Sequence, residues 1–183
     1  WGFSSMQQVG EALRQAAQDS SIRAILLDID SPGGTVDGTE ELADTVRRVA
    51  AEKPVFAYVS GQMCSAAYWI GCQAAEIAAQ ASAEVGSIGV VQLHVDWSEF
   101  YSRMGLEVTY LTAGKYKAMG NDSEPLSEEA RAYLQEGLDE IYGLFLGAVE
   151  AGRGVTREKA LSMADGKVFL GRQALGLGLI DRI

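Results

Sequence analysis

The feature that most constrains this chain is a short apolar run, Pro54 to Val59, which ends at Ser60-Gly61 and precedes a small-residue helical pattern starting near Ser65. An apolar run of this length between turn residues is typical of a buried strand. A strand, a tight turn and a helix start lift a serine hydroxyl towards helix amides that have no internal partner. This arrangement suits an oxyanion. However, the Gly-x-Ser-x-Gly pattern is absent, and a serine at a helix start is usually only a helix cap.

Strands and helices alternate along the first half of the chain. Apolar residues at helical spacing predict helices over residues 5–19 and 36–52. A nearly continuous apolar run predicts a strand over residues 23–30, of the kind found in a parallel sheet that is covered on both faces. With the strand over residues 54–59 and the helix from Ser65, the series predicts a right-handed parallel α/β core.

The second half of the chain is richer in helical patterns. The patterns predict a glycine-punctuated turn entering a strand (84–91), a short helix (96–104), a strand (107–111), a loop (112–125), a long helix (127–151) closed by Gly152, a small helix (156–164), a short strand near Val168 and a final helix from Gly171. Nothing in the composition marks a boundary. We therefore expect one domain over residues 1–183, with residues 126–183 as its helical C-terminal extension.

Composition excludes several classes of function. The 183 residues carry a formal net charge of −10 and no basic cluster, so binding of nucleic acid through a basic face is not expected. No apolar run approaches the roughly 18 residues of a membrane span, although a chain that begins at Trp1 could have lost a leader or an anchor. Cys64 and Cys72 are expected to be buried thiols. No metal-ligand spacing is present, and we expect neither a metal nor a cofactor.

Three features could form a catalytic centre. Ser65 would be the nucleophile, and the Gly33-Gly34 turn could bring backbone amides close to a substrate. A base is also needed. The candidates are His94, the only histidine, and a lysine of the weakly charged loop that contains Lys115 and Lys117. A lysine can act as a base only where desolvation or a neighbouring cation makes it easier to deprotonate.

Several motifs, in order, resemble the signal peptide peptidase A family of serine proteases. They are Asp30-Ser31-Pro32-Gly33-Gly34, Ser65-Ala66-Ala67-Tyr68-Trp69-Ile70, Gly86-Ser87-Ile88-Gly89-Val90, Gly114-Lys115-Tyr116-Lys117 and the closing segment from Ala164 to Ala174. The resemblance covers essentially the whole chain. It implies a Clp-protease- and crotonase-like fold, in agreement with the α/β pattern.

The resemblance also assigns roles by position. Ser65 matches the nucleophile of the family, Lys117 its general base, and Ser87 a serine that holds the lysine amine. Gly34 and the amide of Ala66 match the oxyanion donors. Cellular members often carry Gly-Gly after the nucleophile where this chain has alanines, a departure that should still permit the turn.

The same resemblance sets expectations for neighbouring residues. Lys115 lies in the wrong register for the base and is expected to be a surface or substrate-side charge. Gly33, Thr35 and Val36 are expected to contact a polypeptide substrate that lies extended along this edge by backbone pairing.

Two branches of the family fit the motifs. The segments His94-Val95-Asp96-Trp97-Ser98 and Gly120-Asn121 through Glu124-Pro125-Leu126 resemble phage head maturation proteases, which process scaffold and capsid proteins inside a procapsid. The bacterial branch degrades signal-peptide remnants at the membrane. We favour the phage branch, with a cytoplasmic or procapsid location and a homo-oligomeric ring that can share serine and lysine between subunits. The chain would be membrane-associated if an N-terminal anchor has been removed.

Three alternatives stay open. His94 could be the base with Asp96 as its orienting carboxylate, as in the Clp proteases. The chain could instead be an inactive scaffold module on a crotonase-like fold. A crotonase acting on acyl-CoA is the weakest option, because no acidic pair stands near the glycine turns.

Overall fold

The computed structural model describes residues 5–183, which fall into two compact units. The first contains the residues up to Gly89 together with Gly143–Ile183, and the second is Val90–Tyr142. The expected single domain over residues 1–183 stays a prediction, and residues 1–4 lie outside the described part.

The first unit is built on one five-stranded sheet. Strands β1, β2, β3 and β4 are mutually parallel where they pair, and β5 runs antiparallel to β4. This arrangement confirms the predicted parallel α/β core with flanking helices. The elements are α1 (Met6–Gln18), β1 (Ile25–Ser31), α2 (Thr39–Glu52), β2 (Val55–Cys64), α3 (Ala66–Gly71), β3 (Glu76–Ala79), β4 (Glu84–Gly86), the last part of α5 (Glu128–Arg153), α6 (Arg157–Leu161), β5 (Val168–Leu170) and α7 (Gly171–Leu177).

Strand β2 is longer than the sequence predicts. The expected break at Ser60-Gly61 is wrong, because β2 continues through these residues to Cys64. Up to Val59 the strand pairs with β3, and from Gln62 onward it pairs with β4. Ser60 and Gly61 therefore lie where β2 changes partner from β3 to β4, and not at the end of the strand. The strand continues to Cys64, the residue before Ser65.

Strand β1 is covered on one face only. The prediction of a strand buried on both faces is wrong, since Leu26, Asp28 and Asp30 are exposed in strict alternation with half-buried neighbours. Within the described residues β1 pairs only with β2, so it forms an edge of the sheet. The apolar run conceals this alternation because Leu26 is apolar although it is 64% exposed.

Buried side chains tie the helices to the sheet. Val46 and Val49 of α2 and Tyr68 of α3 are fully or nearly fully buried. Trp69 of α3 stacks on Phe145 of α5, with ring centroids 4.8 Å apart and an interplanar angle of 13°. Stacked aromatic pairs of this kind add to the free energy gained from burial. Helix α3, which comes directly after Ser65, is therefore held by the core.

Helix α5 ends later than predicted. The sequence predicts that Gly152 closes the helix, but the helix runs to Arg153, and Gly154, with φ of +61°, comes after it. A side chain at position 152 would overlap the carbonyl group of Cys72. Gly152 is thus explained by close packing against the turn after α3, not by a C-cap.

The sequence patterns do not predict the short strand β3, which follows α3. Its surroundings are rich in alanine, which favours helix, so no local pattern distinguishes it.

The second unit contains α4 (Ser98–Arg103) and the first part of α5. The predicted helix over 96–104 and loop over 112–125 are confirmed. The predicted strand over residues 107–111 is not formed, and residues 87–97 also lack regular structure. Both segments have strand-like sequences, but in the described chain neither forms a regular strand ladder, and residues 87–97 make only separate backbone bonds, such as that from the Ser87 amide to the Lys167 carbonyl.

The last residues are fastened to β3. The carboxylate of Asp181 accepts hydrogen bonds from the Ile77 amide (2.7 Å) and from the Arg153 guanidinium (2.6 and 3.1 Å). The Arg153 side chain is only 8% exposed.

Between residues 5 and 183, none of the helices combines the length and apolarity needed to cross a bilayer.

Replacing Asp181 with asparagine should change how stability depends on pH. Burial raises the pKa of Asp181, but the bonds from Arg153 and the Ile77 amide outweigh it, so the pKa lies below its ordinary value. A lowered folded pKa gives stability that is complete above the unfolded pKa of about 3.9 and is lost as pH falls through the folded value.

The Asp181→Asn variant should therefore be less stable than wild type by about 1–2 kcal/mol at pH 7. That difference should shrink below pH 4. Denaturant unfolding at pH 7 and pH 3 measures it, with Asp37→Asn, an exposed carboxylate, as the control. Equal losses in the two variants would contradict the assignment.

Candidate active site

Ser65 lies between the end of β2 and the start of α3 in a strained backbone conformation. Its φ is 52° and its ψ is −125°, a region that residues with a side chain rarely occupy. Such strain costs about 1–3 kcal/mol and persists where the surroundings impose it. The Ser65 carbonyl accepts the first hydrogen bond of α3, from the Trp69 amide at 3.0 Å. The predicted strand–turn–helix geometry at Ser65 is therefore present.

A second serine, which follows the neighbouring strand, also has a positive φ. Ser87 comes after β4 as Ser65 comes after β2, and its φ is 51°. The preceding residues, Cys64 and Gly86, are paired in register, and the Ser65 amide donates to the Gly86 carbonyl at 2.8 Å. Neighbouring strands lie about 4.8 Å apart. The structure therefore brings two of the predicted site residues, Ser65 and Ser87, to adjacent positions at the carboxyl ends of β2 and β4.

Gly33 packs directly against Ser65. Its φ is +108°, and a Cβ placed on it would lie 2.7 Å from the Ser65 Cβ and 3.1 Å from the Ala66 nitrogen. A glycine is required there because no side chain fits between the two turns. The Gly33 turn and the start of α3 are thus in contact, as an oxyanion site made from both would need.

Gly34 and Ala66 offer the candidate oxyanion donors. Neither amide has a hydrogen-bond acceptor among the described residues, and nothing lies within 4 Å of a Cβ placed on Gly34. Ala66 is buried at the first position of α3, where an amide has no partner inside its own helix. The two donors and the open space beside Gly34 suit a carbonyl oxygen that gains negative charge.

Thr35 and Val36 continue from Gly34 as an exposed loop. Their carbonyls accept hydrogen bonds from Thr39, at 2.9 Å from its hydroxyl and 3.0 Å from its amide. These two carbonyls therefore cap the start of α2. In the segment expected to pair with a substrate, the backbone groups of Gly34 have no hydrogen-bond partner among the described residues. Substrate contact by Thr35 and Val36 stays a prediction.

The two lysines of the loop differ in their partners. Lys115 donates to Glu129 at 2.6 Å and to the Tyr116 hydroxyl at 3.1 Å. These bonds raise the pKa of Lys115, so its amine stays protonated and is not free to accept a proton as a general base. Lys117 is exposed, and among the described residues its side-chain amine has no hydrogen bond or ion pair, while its backbone amide donates to the Gly114 carbonyl at 3.2 Å. Lys117 is in the second unit, whereas Ser65 and Ser87 are in the first.

His94 and Asp96 do not bond to each other. The Nε2 atom of His94 lies 2.8 Å from the Asn121 carbonyl, and Asp96 accepts from the Ser98 amide at 2.9 Å. The hydrogen bonds from Ser98 lower the pKa of Asp96. In this geometry Asp96 organises the start of α4 and does not orient the imidazole, which weakens the alternative base.

The cysteine next to Ser65 is not an alternative nucleophile. Cys64 is buried, and burial, together with the charge of Glu84, raises the pKa of its thiol to about 11. Burial likewise raises the pKa of Cys72 to about 12. Both are free thiols, as predicted. Within residues 5–183, no three His, Cys, Asp or Glu side chains are grouped as a metal site.

Two backbone groups of the site carry no sequence signal of their own. The Gly86 carbonyl accepts from Ser65, and the Lys167 carbonyl accepts from the Ser87 amide at 2.7 Å. Every residue has a carbonyl, so only the fold reveals these contacts. The nearest sequence hint is Gly86, whose φ is +115° and whose α-carbon packs against Lys167.

A mostly parallel α/β sheet with a strained serine between strand and helix defines a Clp protease-like domain, and the Clp protease family model matches residues 4–85. The model of Peptidase family S49 matches residues 47–183. The chain belongs to peptidase family S49, which confirms the resemblance to the signal peptide peptidase A family.

Curated relatives come from cells and from phages. "Putative protease MJ0651" of Methanocaldococcus jannaschii is 37% identical over 91% of this chain and 53% of its own length. "Capsid assembly protease C" of Escherichia phage lambda is 32% identical over 100% of this chain and 41% of its own length. "Serine protease SPPA, chloroplastic" of Arabidopsis thaliana is 28% identical over 97% and 26%. The chain thus spans about half or less of the length of these relatives.

Alanine at position 33 should be far more harmful than alanine at position 34. Gly33→Ala combines a positive φ with a clash against Ser65, so we expect a loss of at least about 1 kcal/mol of stability. Gly34→Ala enters open space and should unfold like wild type. Thermal unfolding of the two variants provides the comparison, and similar midpoints would show that the Gly33 turn is not pressed against Ser65.

Neither thiol should react with iodoacetamide in the folded protein at pH 8. Burial holds both pKa values two or more units above that pH, and the thiolate is the reactive species. Mass spectrometry should find two unmodified cysteines in native protein and two modified ones after unfolding in guanidinium. Rapid native modification of Cys64 would mean that the residue before Ser65 is open to solvent.

Proposed function

We propose that this chain forms the catalytic part of a serine endopeptidase in which Ser65 is the nucleophile. The observation that carries the proposal is the conformation of Ser65, held at positive φ beside Gly33 and beside the Ala66 amide, which has no acceptor among the described residues. A residue with a side chain is kept in such a conformation at a free-energy cost. Functional sites are where that cost is commonly found.

Lys117 is the proposed general base. Lys115 is held protonated by Glu129, whereas Lys117 has no such partner in the described residues. A lysine becomes a base when it is desolvated, and Lys117 is exposed in the single chain. The proposal therefore requires that substrate, or a second copy of the chain, covers Lys117 during catalysis. Ser87 would then hold the amine.

The proposed reaction proceeds through an acyl-enzyme. Neutral Lys117 takes the Ser65 hydroxyl proton as the oxygen attacks the substrate carbonyl, and the amides of Gly34 and Ala66 bind the oxyanion. The C–N bond then breaks, and Lys117 returns its proton to the leaving amine. Lys117 next takes a proton from water, whose oxygen attacks the ester, and it returns that proton to the Ser65 oxygen as the acyl C–O bond breaks. Loss of one oxyanion donor would lower the rate by about 10²–10³.

The second unit supports the proposed homo-oligomer. Val91 and Leu93 are 90% and 83% exposed, and they lie on a segment in which apolar residues alternate with polar ones. Exposed apolar surface of this extent is typical of protein interfaces. We propose that the exposed apolar residues of this unit contact other copies of the chain. The exposed apolar residues of the unit include Val91, Leu93, Val95, Trp97, Phe100, Met104, Leu106, Val108, Tyr110 and Leu111.

The proposed substrates are scaffold or capsid proteins of a phage head. The proposal draws support from the similarity to "Capsid assembly protease C", which extends along the whole of this chain, and places the enzyme inside a procapsid or in the cytoplasm. The second candidate, degradation of membrane peptide remnants, draws support from the similarity to "Serine protease SPPA, chloroplastic". Incubation with a phage scaffold protein, and then mass mapping of the cut sites, would separate the two.

Ser65→Ala and Lys117→Ala should each reduce peptide hydrolysis at least about 10³-fold, because each removes a member of the dyad. Lys115→Ala, two residues from the base in the same loop, should stay within about 3-fold of wild type. The measurements are hydrolysis of a denatured protein substrate and labelling by an active-site serine probe, both on the assembled protein.

Other outcomes would overturn specific parts of the proposal. Loss of activity in His94→Ala with survival in Lys117→Ala would make His94 the base. An assembled wild-type protein that leaves Ser65 unlabelled and cleaves nothing would favour an inactive scaffold module.

A further inference from the structure

Strand β2 pairs with β1 along one side, and along its other side it changes partner from β3 to β4. Its pairing with β1 becomes irregular at the same place. Ile29 pairs with Val59, but two residues later Ser31 pairs with Met63, so β2 uses four residues where β1 uses two. The extra residues of β2 form a bulge, which bends a strand and redirects the chain beyond it. Asp30 is the β1 residue that faces this bulge.

The side chain of Asp30 occupies the bulge. Its Oδ1 atom accepts a hydrogen bond from the Gln62 amide at 3.1 Å. A Cβ placed on Gly61 would overlap the carboxylate and lie 2.8 Å from the Asp30 Cγ. The bulge leaves backbone groups outside the regular ladder, and the carboxylate accepts from one of them.

Asp30 also connects the two halves of the candidate site. Three residues after Asp30 along the chain comes Gly33, and three residues after Gln62 comes Ser65. Gly33 and Ser65 are themselves in contact. The two chain segments thus form a closed loop, with the Asp30–Gln62 bond at one end and the Gly33–Ser65 contact at the other.

We propose that Asp30 is a positioning residue that sets the spacing between Ser65 and the Gly34 amide. The inference rests on the proposed function, since it concerns the same nucleophile and oxyanion donor. Without the carboxylate, the bulge loses the bond that fixes β2 against β1 before the site. A displacement of about 1 Å between reacting groups can lower a rate by about 10²-fold.

The chain offers a matched control in Asp28. This carboxylate lies on the same exposed face of β1, two residues before Asp30, and accepts from the Ser60 hydroxyl at 3.4 Å. It carries the same charge, but it bonds to a side chain and not to the backbone of the bulge. Asp28→Ala therefore removes a neighbouring charge and leaves the Asp30–Gln62 bond in place.

The experiment compares four variants of the assembled protein. Asp30→Ala should lower kcat at least about 10-fold while KM changes less than about 2-fold, because spacing and not substrate binding is altered. Asp30→Asn keeps an oxygen acceptor for the Gln62 amide and should stay within about 3-fold of wild type. Asp28→Ala should also stay within about 3-fold. Gly61→Ala should resemble Asp30→Ala, since its methyl group displaces the carboxylate.

Hydrogen exchange provides a readout that does not depend on activity. The Gln62 amide should exchange faster in Asp30→Ala than in wild type, Asp30→Asn or Asp28→Ala. The proposal is overturned if Asp30→Ala keeps wild-type kcat, if Asp28→Ala loses as much as Asp30→Ala, or if Asn fails to restore activity. It is also overturned if Asp30→Ala and Gly61→Ala both fail to fold, because Asp30 would then serve the fold as a whole.

Failure of the proposed function looks different. If the wild-type protein cleaves no peptide and its Ser65 is not labelled, the endopeptidase assignment fails. Exchange at Gln62 then decides alone whether Asp30 holds the bulge. If wild type is active and Asp30→Ala equals it, the positioning role fails and the endopeptidase assignment stands.

Discussion

The pairing of β2 with β4 is the constraint on which the site depends. Because Cys64 and Gly86 are in register, the two strands end side by side, and each leads into a serine at positive φ. The Ser65 amide is bound by β4, and the Ser87 amide is bound by the Lys167 carbonyl just before β5. One row of backbone hydrogen bonds therefore runs from the C-terminal segment to the candidate nucleophile. The side chains are placed by the sheet and not by the loops around it.

Local patterns are sufficient for much of the fold. The helix predicted over residues 5–19 and the strand over 23–30 appear as α1 and β1 within two residues at each end. Partners that are distant in sequence are not predictable. The length of β2 depends on its change from β3 to β4, and Gly152 depends on the Cys72 carbonyl. The strand expected over 107–111 fails for a related reason, since a strand-like sequence forms a strand only where a neighbour pairs with it.

The candidate site shows the same division. Ser65 and Gly33 stand out because a serine after a strand and paired glycines at a strand end suggest their geometry, and the structure brings them into contact. The preference for Lys117 over Lys115 comes from a resemblance, since spacing alone does not separate two lysines in one loop. The pairing of Lys115 with Glu129 gives that preference a physical reason. The Gly86 and Lys167 carbonyls have no signal, because backbone acceptors are common to all residues.

The left-handed backbone at Ser65 has an evolutionary consequence. Glycine adopts a φ of 52° with little strain, so a chain with glycine at this position would relax the turn, whereas serine sustains it. Selection for stability alone would thus favour replacement of Ser65 by glycine, and the hydroxyl would be lost. A serine in a turn that favours glycine is what selection for reactivity, at the expense of stability, would leave behind.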